Sequence, residues 1–431
     1  MKETVSTNIN GNSKMRHYGR VLILATATTY RVEAFSQAAA RLGLETLIAV
    51  DMPQELATFW NTELGIDFSD LDQATRRIAT LVAEQPVDAI IAVDDSGTLL
   101  AAYASAALNL PHNSIVAAEA ARDKYRMRAL LAQAGVAVPT FRLCSTSDDP
   151  QVIASEIEYP CVVKPLRLSG SRGVIRADDP DQFVAVVQRL ASLLHTLEPE
   201  LPAHPYLVEG FVPGFEVALE GLLDNGQLQV LALFDKPDPL DGPFFEETIY
   251  VTPSRLPQPV QVAIAAYASD AAAALGLRNG PMHAELRVND AGPWLIEVAS
   301  RSIGGLCSQT LRFGTDASLE ELILRQACGL PIESFVRAGH AGGVMMIPIP
   351  GAGMLKCVRG VVDAEAVPGV ETVEITAKLH YPLIPLPEGD SYLGFIFARG
   401  TTPDEVEAAL REAHRRLHFE IESAIPLIIS A

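Results

Sequence analysis

The chain is short of positive charge, of cysteine pairs and of uninterrupted apolar runs, and each shortage removes a class of function. Lysine and arginine total 33 against 53 aspartates and glutamates, a formal net charge of −20. A field of that sign repels phosphate backbones, so general nucleic-acid binding is excluded, although a nucleotide in a local basic pocket is not. The five cysteines, Cys144, Cys161, Cys307, Cys328 and Cys357, form no C-x-x-C pair, which argues against a disulfide framework and against a zinc ribbon. Residues 1–19 are polar and lack an apolar signal core. The longest charge-free stretch, Ser96 to Ala118, is broken by Asn109, Pro111, His112 and Asn113, so it reads as a helix, a turn and the next element, not a bilayer span. The expected location is the cytoplasm, with no membrane partner. No internal repeat and no low-complexity tract is visible.

At roughly 150 residues per domain, 431 residues with 48% apolar content suggest about three folded domains. After a flexible tail, 1–19, residues 20–115 alternate short apolar strands (21–24, 46–50, 89–93) with helices. That pattern implies a parallel sheet covered on both faces, a Rossmann-like domain. It lacks G-x-G-x-x-G after the first strand, so a dinucleotide site is not supported. Residues 116–330 form a second unit. It opens with a helix at 117–135 and holds a strand at 161–165, a glycine and serine loop within a subdomain at about 140–210, a helix at 259–275 and a hairpin at 283–299. Residues 331–431 form a third unit of strands with a helix at 403–417. Overall the expected class is mixed α/β and α+β.

The hairpin carries the sharpest chemical signal. Pairing His283–Val288 symmetrically with Trp294–Ala299 around the segment 289–293 sets Glu285 opposite Glu297 and Val288 opposite Trp294. The two-residue period puts Ala284, Leu286, Val288, Trp294, Ile296 and Val298 on one face, and His283, Glu285, Arg287, Leu295, Glu297 and Ala299 on the other. Two carboxylates about 5 Å apart repel. A divalent cation such as Mg2+ between them and substrate phosphates removes the repulsion; an exposed strand face relieved by Arg287 is the alternative. The next residues, Ser300–Gly305, bring Arg301, suited to clamp a phosphoryl or carboxylate oxygen, and Gly304 and Gly305, which let backbone approach a ligand.

Taken in order, Asp123-Lys124, Val163-Lys164-Pro165, the loop Ser169-Gly170-Ser171-Arg172-Gly173, the run Val208–Glu216 and the Glu285/Glu297 hairpin resemble the ATP-grasp enzymes. Within that superfamily, His283-Ala284-Glu285 and Glu297-Val298-Ala299-Ser300-Arg301 are most similar to the L-amino acid ligases, which make dipeptides. Ala299 stands where many ATP-grasp members have a metal-holding asparagine, which leaves coordination to Glu285 and Glu297. The resemblance implies an ATP-grasp fold with an N-terminal Rossmann-like domain, and an ADP-forming ligase that joins a carboxylate to an amine through an acylphosphate. Its cofactors would be ATP and Mg2+ (or Mn2+), its partners small-molecule substrates, and its assembly a homodimer. Lys124, Lys164, Ser169, Gly170, Ser171 and Gly173 would meet the phosphates. Glu209, Phe211 and Val212 would meet adenine, Glu216 the ribose, and Lys236 the phosphate site. Arg301 and His283 would hold the acylphosphate, with His283 a candidate proton acceptor. Glu246, Glu247, Gly304, Gly305 and Cys307 would line the substrate pocket. A carboxylase resembling biotin carboxylase or the purine-pathway enzymes, and a non-catalytic nucleotide sensor, are the competing readings. The segment Met354-Leu355-Lys356 lacks the Met-Lys-Met form of a biotinyl site and reads as a strand.

Overall fold

The computed structural model describes residues 19–60 and 62–422; of the expected flexible tail, 1–19, all but Gly19 lies outside the described residues. The N-terminal unit is a four-stranded parallel sheet ordered Leu64–Ile66, Glu45–Asp51, Arg20–Thr26, Ala89–Ala92. Its continuous apolar strands are buried on both faces, as a parallel sheet between helices requires. The strand Leu64–Ile66 escapes the sequence reading because it is three residues long.

One helix expected at 117–135 is two. Ile115–Arg122 stops at Asp123, whose backbone is extended and whose carboxylate accepts from the Arg126 amide, so it caps Lys124–Gln133. The break sets Lys124 in the first turn of the second helix. A small antiparallel sheet follows, ordered Phe141–Ser145, Pro205–Gly210, Cys161–Pro165, Ile175–Ala177. Helices Pro150–Glu156 and Pro180–Leu197 pack on it through Ile153, Phe183, Val187 and Leu190. This unit carries the glycine loop and covers the cleft.

The central sheet has eight strands: Gly292–Ala299, Gly280–Asn289, Phe215–Asp224, Gln227–Lys236, Ile249–Thr252, Ala341–Ile347, Gly394–Gly400 and Val370–Ile375. The last three belong to the expected third unit, so the sheet runs across the boundary placed at 330/331. Strand Gly353–Arg359, which holds Met354-Leu355-Lys356, pairs with Pro382–Leu383 and His418–Glu422 in a separate three-stranded sheet. Helices Gln258–Leu275 and Pro403–Arg416 form as read, the first closed by Gly276 in the left-handed region and the second opened by a Thr402/Glu405 capping box. Among the described residues no helix is long and apolar enough to cross a membrane.

Candidate active site

A cavity of about 910 Å³ is lined by residues of all three units. Its walls are the loop Thr26–Arg31 after the first strand, Val93–Asp95 at the carboxyl end of another strand, the glycine loop, the hairpin, and residues 376–392. It gathers Lys124, Lys164, Ser169, Gly170, Ser171, Glu209, Phe211, Val212, Glu216, Glu247, His283, Glu285, Glu297, Arg301, Gly304, Gly305 and Cys307. Three expected site residues do not line it. Gly173 packs behind the loop against Leu190 and Pro165. Lys236 is buried beneath the floor, and Glu246 is half-buried to one side.

The hairpin closes with Glu285 opposite Glu297, as the period of two requires. Beyond that pair the symmetric register fails. Ile296 is an extra residue, a β-bulge, so Leu286 faces Leu295, and Trp294 faces Arg287 instead of Val288. The bulge exchanges two faces: Leu295 enters the core beside Ala284, Leu286 and Val298, whereas Ile296 lines the cavity. The turn is Asp290-Ala291, two residues between Asn289 and Gly292, not the five expected.

Each carboxylate of the pair is held by a lysine from elsewhere. Lys124 Nζ lies 3.2 Å from Glu297 and donates to the Leu168 carbonyl at 2.7 Å, just before the glycine loop. Lys236 Nζ lies 3.4 Å from Glu285 and 3.0 Å from Glu216, and also donates to Glu247. These three glutamates converge within 4.8 Å, but the ammonium among them makes them an ion-pair hub. Lys236, expected on ATP phosphates, has its donors engaged below the cavity. Glu216, expected on ribose, is bridged to Arg287 at 2.9 Å as well. Burial and the Glu285 charge raise the Glu247 carboxyl to about 7. Burial pushes Glu285 the same way, but Lys236 and His283 outweigh it and hold Glu285 well below the ordinary range.

His283 stands between Glu220, 3.1 Å from its Nδ1, and Glu285, 3.5 Å from its Nε2. Burial opposes its charge, but these two carboxylates prevail and raise it to about 9. Both ring nitrogens of His283 thus face carboxylates. Glu220 has no exposed surface and also accepts from the Ile303 amide. The alternating strand that carries Glu216 and Glu220 is therefore covered on both faces.

A second buried group holds Lys164. Glu209 accepts from Lys164 Nζ at 2.5 Å and Arg128 Nε at 2.6 Å, and Arg128 continues to the Ile296 carbonyl at 2.7 Å. Burial lowers the Lys164 ammonium, partly offset by Glu209. It pushes Glu209 up, but Arg128 and Lys164 outweigh it and keep that carboxyl below its ordinary value. The Glu209 side chain expected at adenine is thus occupied, which leaves the 209–212 backbone and Phe211 to face the cavity. The glycine loop places Gly170, Ser171 and Gly173 in the left-handed region, and its Arg172 amide closes back on the Ser169 carbonyl.

Arg301 pairs with Asp95 at 2.7 Å and donates to the Ser302 carbonyl. Burial opposes its charge, yet Asp95 raises it above the usual arginine value. Arg31, from the first loop, donates to Ser302 Oγ and the Val93 carbonyl. Cys307 is buried, and burial pushes its thiol up to about 12. Arg31, Asp95, Arg128 and Glu220 were missed in the sequence. Only Asp95 carried a signal there, as an acidic pair at the carboxyl end of a parallel strand.

The donor set fits a hard divalent cation. Glu285 and Glu297 face one cavity from paired strands, both partly exposed and each flanked by a lysine from another element.

Residues 35–112 match the ATP-grasp N-terminal domain, 157–310 the ATP-grasp domain and 345–422 the L-amino acid ligase C-terminal domain 2. The chain is 24% identical over 424 residues to the uncharacterized protein y4rH of Sinorhizobium fredii, which spans 95% of this chain and 84% of that protein. It is 28% identical over 277 residues to the alanine–anticapsin ligase of Bacillus subtilis, covering 60% of this chain and 57% of the relative. The crystal structure of L-amino acid ligase from Bacillus licheniformis superposes with a TM-score of 0.77 at 26% identity, over 94% of this chain and 99% of that one. With that likeness running through all three parts, the chain belongs to the ATP-grasp superfamily, as an ADP-forming carbon–nitrogen ligase with an L-amino acid ligase C-terminal domain.

Proposed function

We propose that this ligase activates the carboxylate of an L-amino acid and joins it to an amine, giving a dipeptide or related amide. The observation that carries the reading is the layout of the cavity. Lys124, Lys164, the glycine loop, the Glu285/Glu297 pair and Arg301 with Gly304-Gly305 all line one cavity.

Lys124 and Lys164 take the ATP phosphates as point charges, and the loop Ser169–Gly173 folds over them. Glu285 and Glu297 would hold a Mg2+ ion, which would neutralise charge at the transferring phosphoryl group. A substrate carboxylate oxygen attacks the γ-phosphorus, the bond to the ADP oxygen breaks, and an acylphosphate forms. Arg301 is placed to bind that acylphosphate through paired N–H donors. The amine nitrogen then attacks the acyl carbon, the carbon–oxygen bond to phosphate breaks, and phosphate leaves with the amine proton. His283, held charged between Glu220 and Glu285, adds fixed positive charge beside the reacting groups. Glu247, on the cavity wall, would read an ammonium group of the substrate.

The test is ADP and phosphate release with Mg2+ over a matrix of L-amino acids, singly and in pairs, with mass spectrometry of the active mixtures. A product weighing two acids less water is expected. Release that requires bicarbonate instead would replace this reading with the carboxylase.

A further inference from the structure

Residues 376–393 leave the central sheet after strand Val370–Ile375 and return to it at Gly394. The ends of this excursion are tied together: the Thr376 and Ala377 amides both donate to the Leu393 carbonyl, and the Leu393 amide donates to Ile347 on the sheet. The result is a closed strap. One side of it lines the substrate end of the cavity with Lys378, Tyr381, Ser391 and Tyr392. Its tip reaches the unit that carries the glycine loop. The Gly173 amide donates to the Pro387 carbonyl at 2.8 Å, and Arg172 Nε to the Glu388 carbonyl at 2.8 Å. Arg172 also lies 3.3 Å from the Asp390 carboxylate. Arg189, on helix Pro180–Leu197, grips the Glu388 carboxylate with both arms, at 2.6 and 2.9 Å. The same guanidinium stacks 5.1 Å from the ring of Phe244, so it joins three segments of chain. Gly389 shapes the tip. A Cβ there would stand 1.8 Å from the Ile384 carbonyl oxygen, and the turn cannot take a side chain.

From this geometry we infer that the strap is a latch, and that Arg189 and Glu388 are positioning residues which couple closure of the glycine loop over ATP to enclosure of the acyl and amine substrates. One segment touches both the phosphate loop and the substrate wall, so neither end closes alone. Enclosure matters because an acylphosphate open to water is hydrolysed before an amine reaches it. The inference rests on the ligase reading above, and its test is built to separate the two. The variants are R189E, E388R, the double R189E/E388R and the milder R189Q. Two quantities are read on the full-length enzyme: amide formed per ADP released, and the dissociation rate of a fluorescent ADP analogue with Mg2+.

Each charge reversal is expected to lower the amide-to-ADP ratio, and to speed nucleotide release, by about threefold to tenfold, the range of an ion pair with fixed bidentate geometry. R189Q should move both less, in the same direction, and the double variant should recover most of both. Unchanged values in R189E and E388R, or a double variant no better than the singles, would overturn the latch. Loss of thermal stability alone would be shared by the double variant and leaves no recovery. If the wild-type protein makes no amide from any amino acid pair, the ligase reading has failed, and nucleotide release still decides the latch.

Discussion

Replacing Lys236 by methionine removes one charge and little volume from a site where three carboxylates converge. Lys236 is 3% exposed, with Glu216 at 3.0 Å and Glu285 at 3.4 Å. Breaking a buried pair by deleting one partner typically costs about 3–5 kcal/mol, because the remaining charge is left without compensation. Arg287 still covers Glu216, so the loss falls on Glu247 and Glu285. The pH dependence follows from the sign of the Glu247 shift. Its carboxyl is raised from 4.5 to about 7 in the folded chain. Its contribution to stability is therefore complete below about 4.5 and lost as pH rises through 7. Without Lys236 both carboxylates are harder to ionise, so the deficit should be greatest near pH 8 and shrink toward pH 6 as they take up protons. Thermal unfolding in chelator measures this. At about 2–4 °C per kcal/mol for a unit of this size, the K236M protein should melt roughly 6–20 °C lower at pH 8. Added Mg2+ should recover part of the loss by replacing the missing charge. An unchanged melting temperature at pH 8, or the same deficit at both pH values, would refute the hub.

Other substitutions report on the two ends of the cavity. Arg301→Lys keeps the charge but not the paired donors, and kcat/KM should fall by about 10²–10³ while the KM for ATP stays within about twofold; equal losses in both would place Arg301 outside the acyl site. Glu285→Gln and Glu297→Gln should each raise the Mg2+ concentration for half-maximal turnover by roughly 100-fold, and an unshifted metal titration in either would remove that residue from the metal site. In Gly305→Ala, a Cβ at φ +60° meets the Phe395 ring at 3.1 Å, so a loss of about 1–2 kcal/mol of stability is expected, together with a higher KM for the bulkier substrate.

What could be read in the sequence was set by local spacing. The parallel strands showed as apolar runs, and the Glu285–Glu297 pairing followed from a period of two counted back along the hairpin. That pairing survived a wrong turn length because the shorter turn and the bulge at Ile296 compensate: the turn loses residues and the bulge inserts one. No glycine or proline marks the bulge, so nothing local revealed that Leu295 turns to the core and Ile296 to the cavity. Asp123 carried a readable cap signal, an aspartate at a helix start, but the apolar pattern on either side masked the break. The buried counterions were beyond reach for a different reason. Arg128 and Glu209 are 81 residues apart, and Arg31 and Ser302 are 271 apart. Only the packing of different units brings such partners together, and an isolated arginine in a helix reads as a solvated one.

The same counterions resolve how a chain of net charge −20 can receive a polyanion. Among the cations that line the cavity, Lys124, Lys164, His283 and Arg301 are each already on a carboxylate: Glu297, Glu209, Glu220 and Asp95. Three of these partnerships differ in exposure. Lys164 with Glu209 is sealed, with side chains 6% and 4% exposed, and its partner cannot leave without an uncompensated buried charge. Lys124 with Glu297 and Arg301 with Asp95 lie at the cavity surface, with the carboxylates 31% and 26% exposed. Those two cations can turn to phosphoryl oxygens while their carboxylates meet a metal ion or a substrate ammonium. Binding of a metal nucleotide is then an exchange of partners, with little net change in the charge the cavity holds. Such an exchange releases few counterions, so the affinity for MgATP should vary only weakly between low and moderate salt, unlike attraction to an open basic patch, which weakens steeply over the same range. A steep salt dependence would mean that the cations of this cavity are not paired before the nucleotide arrives.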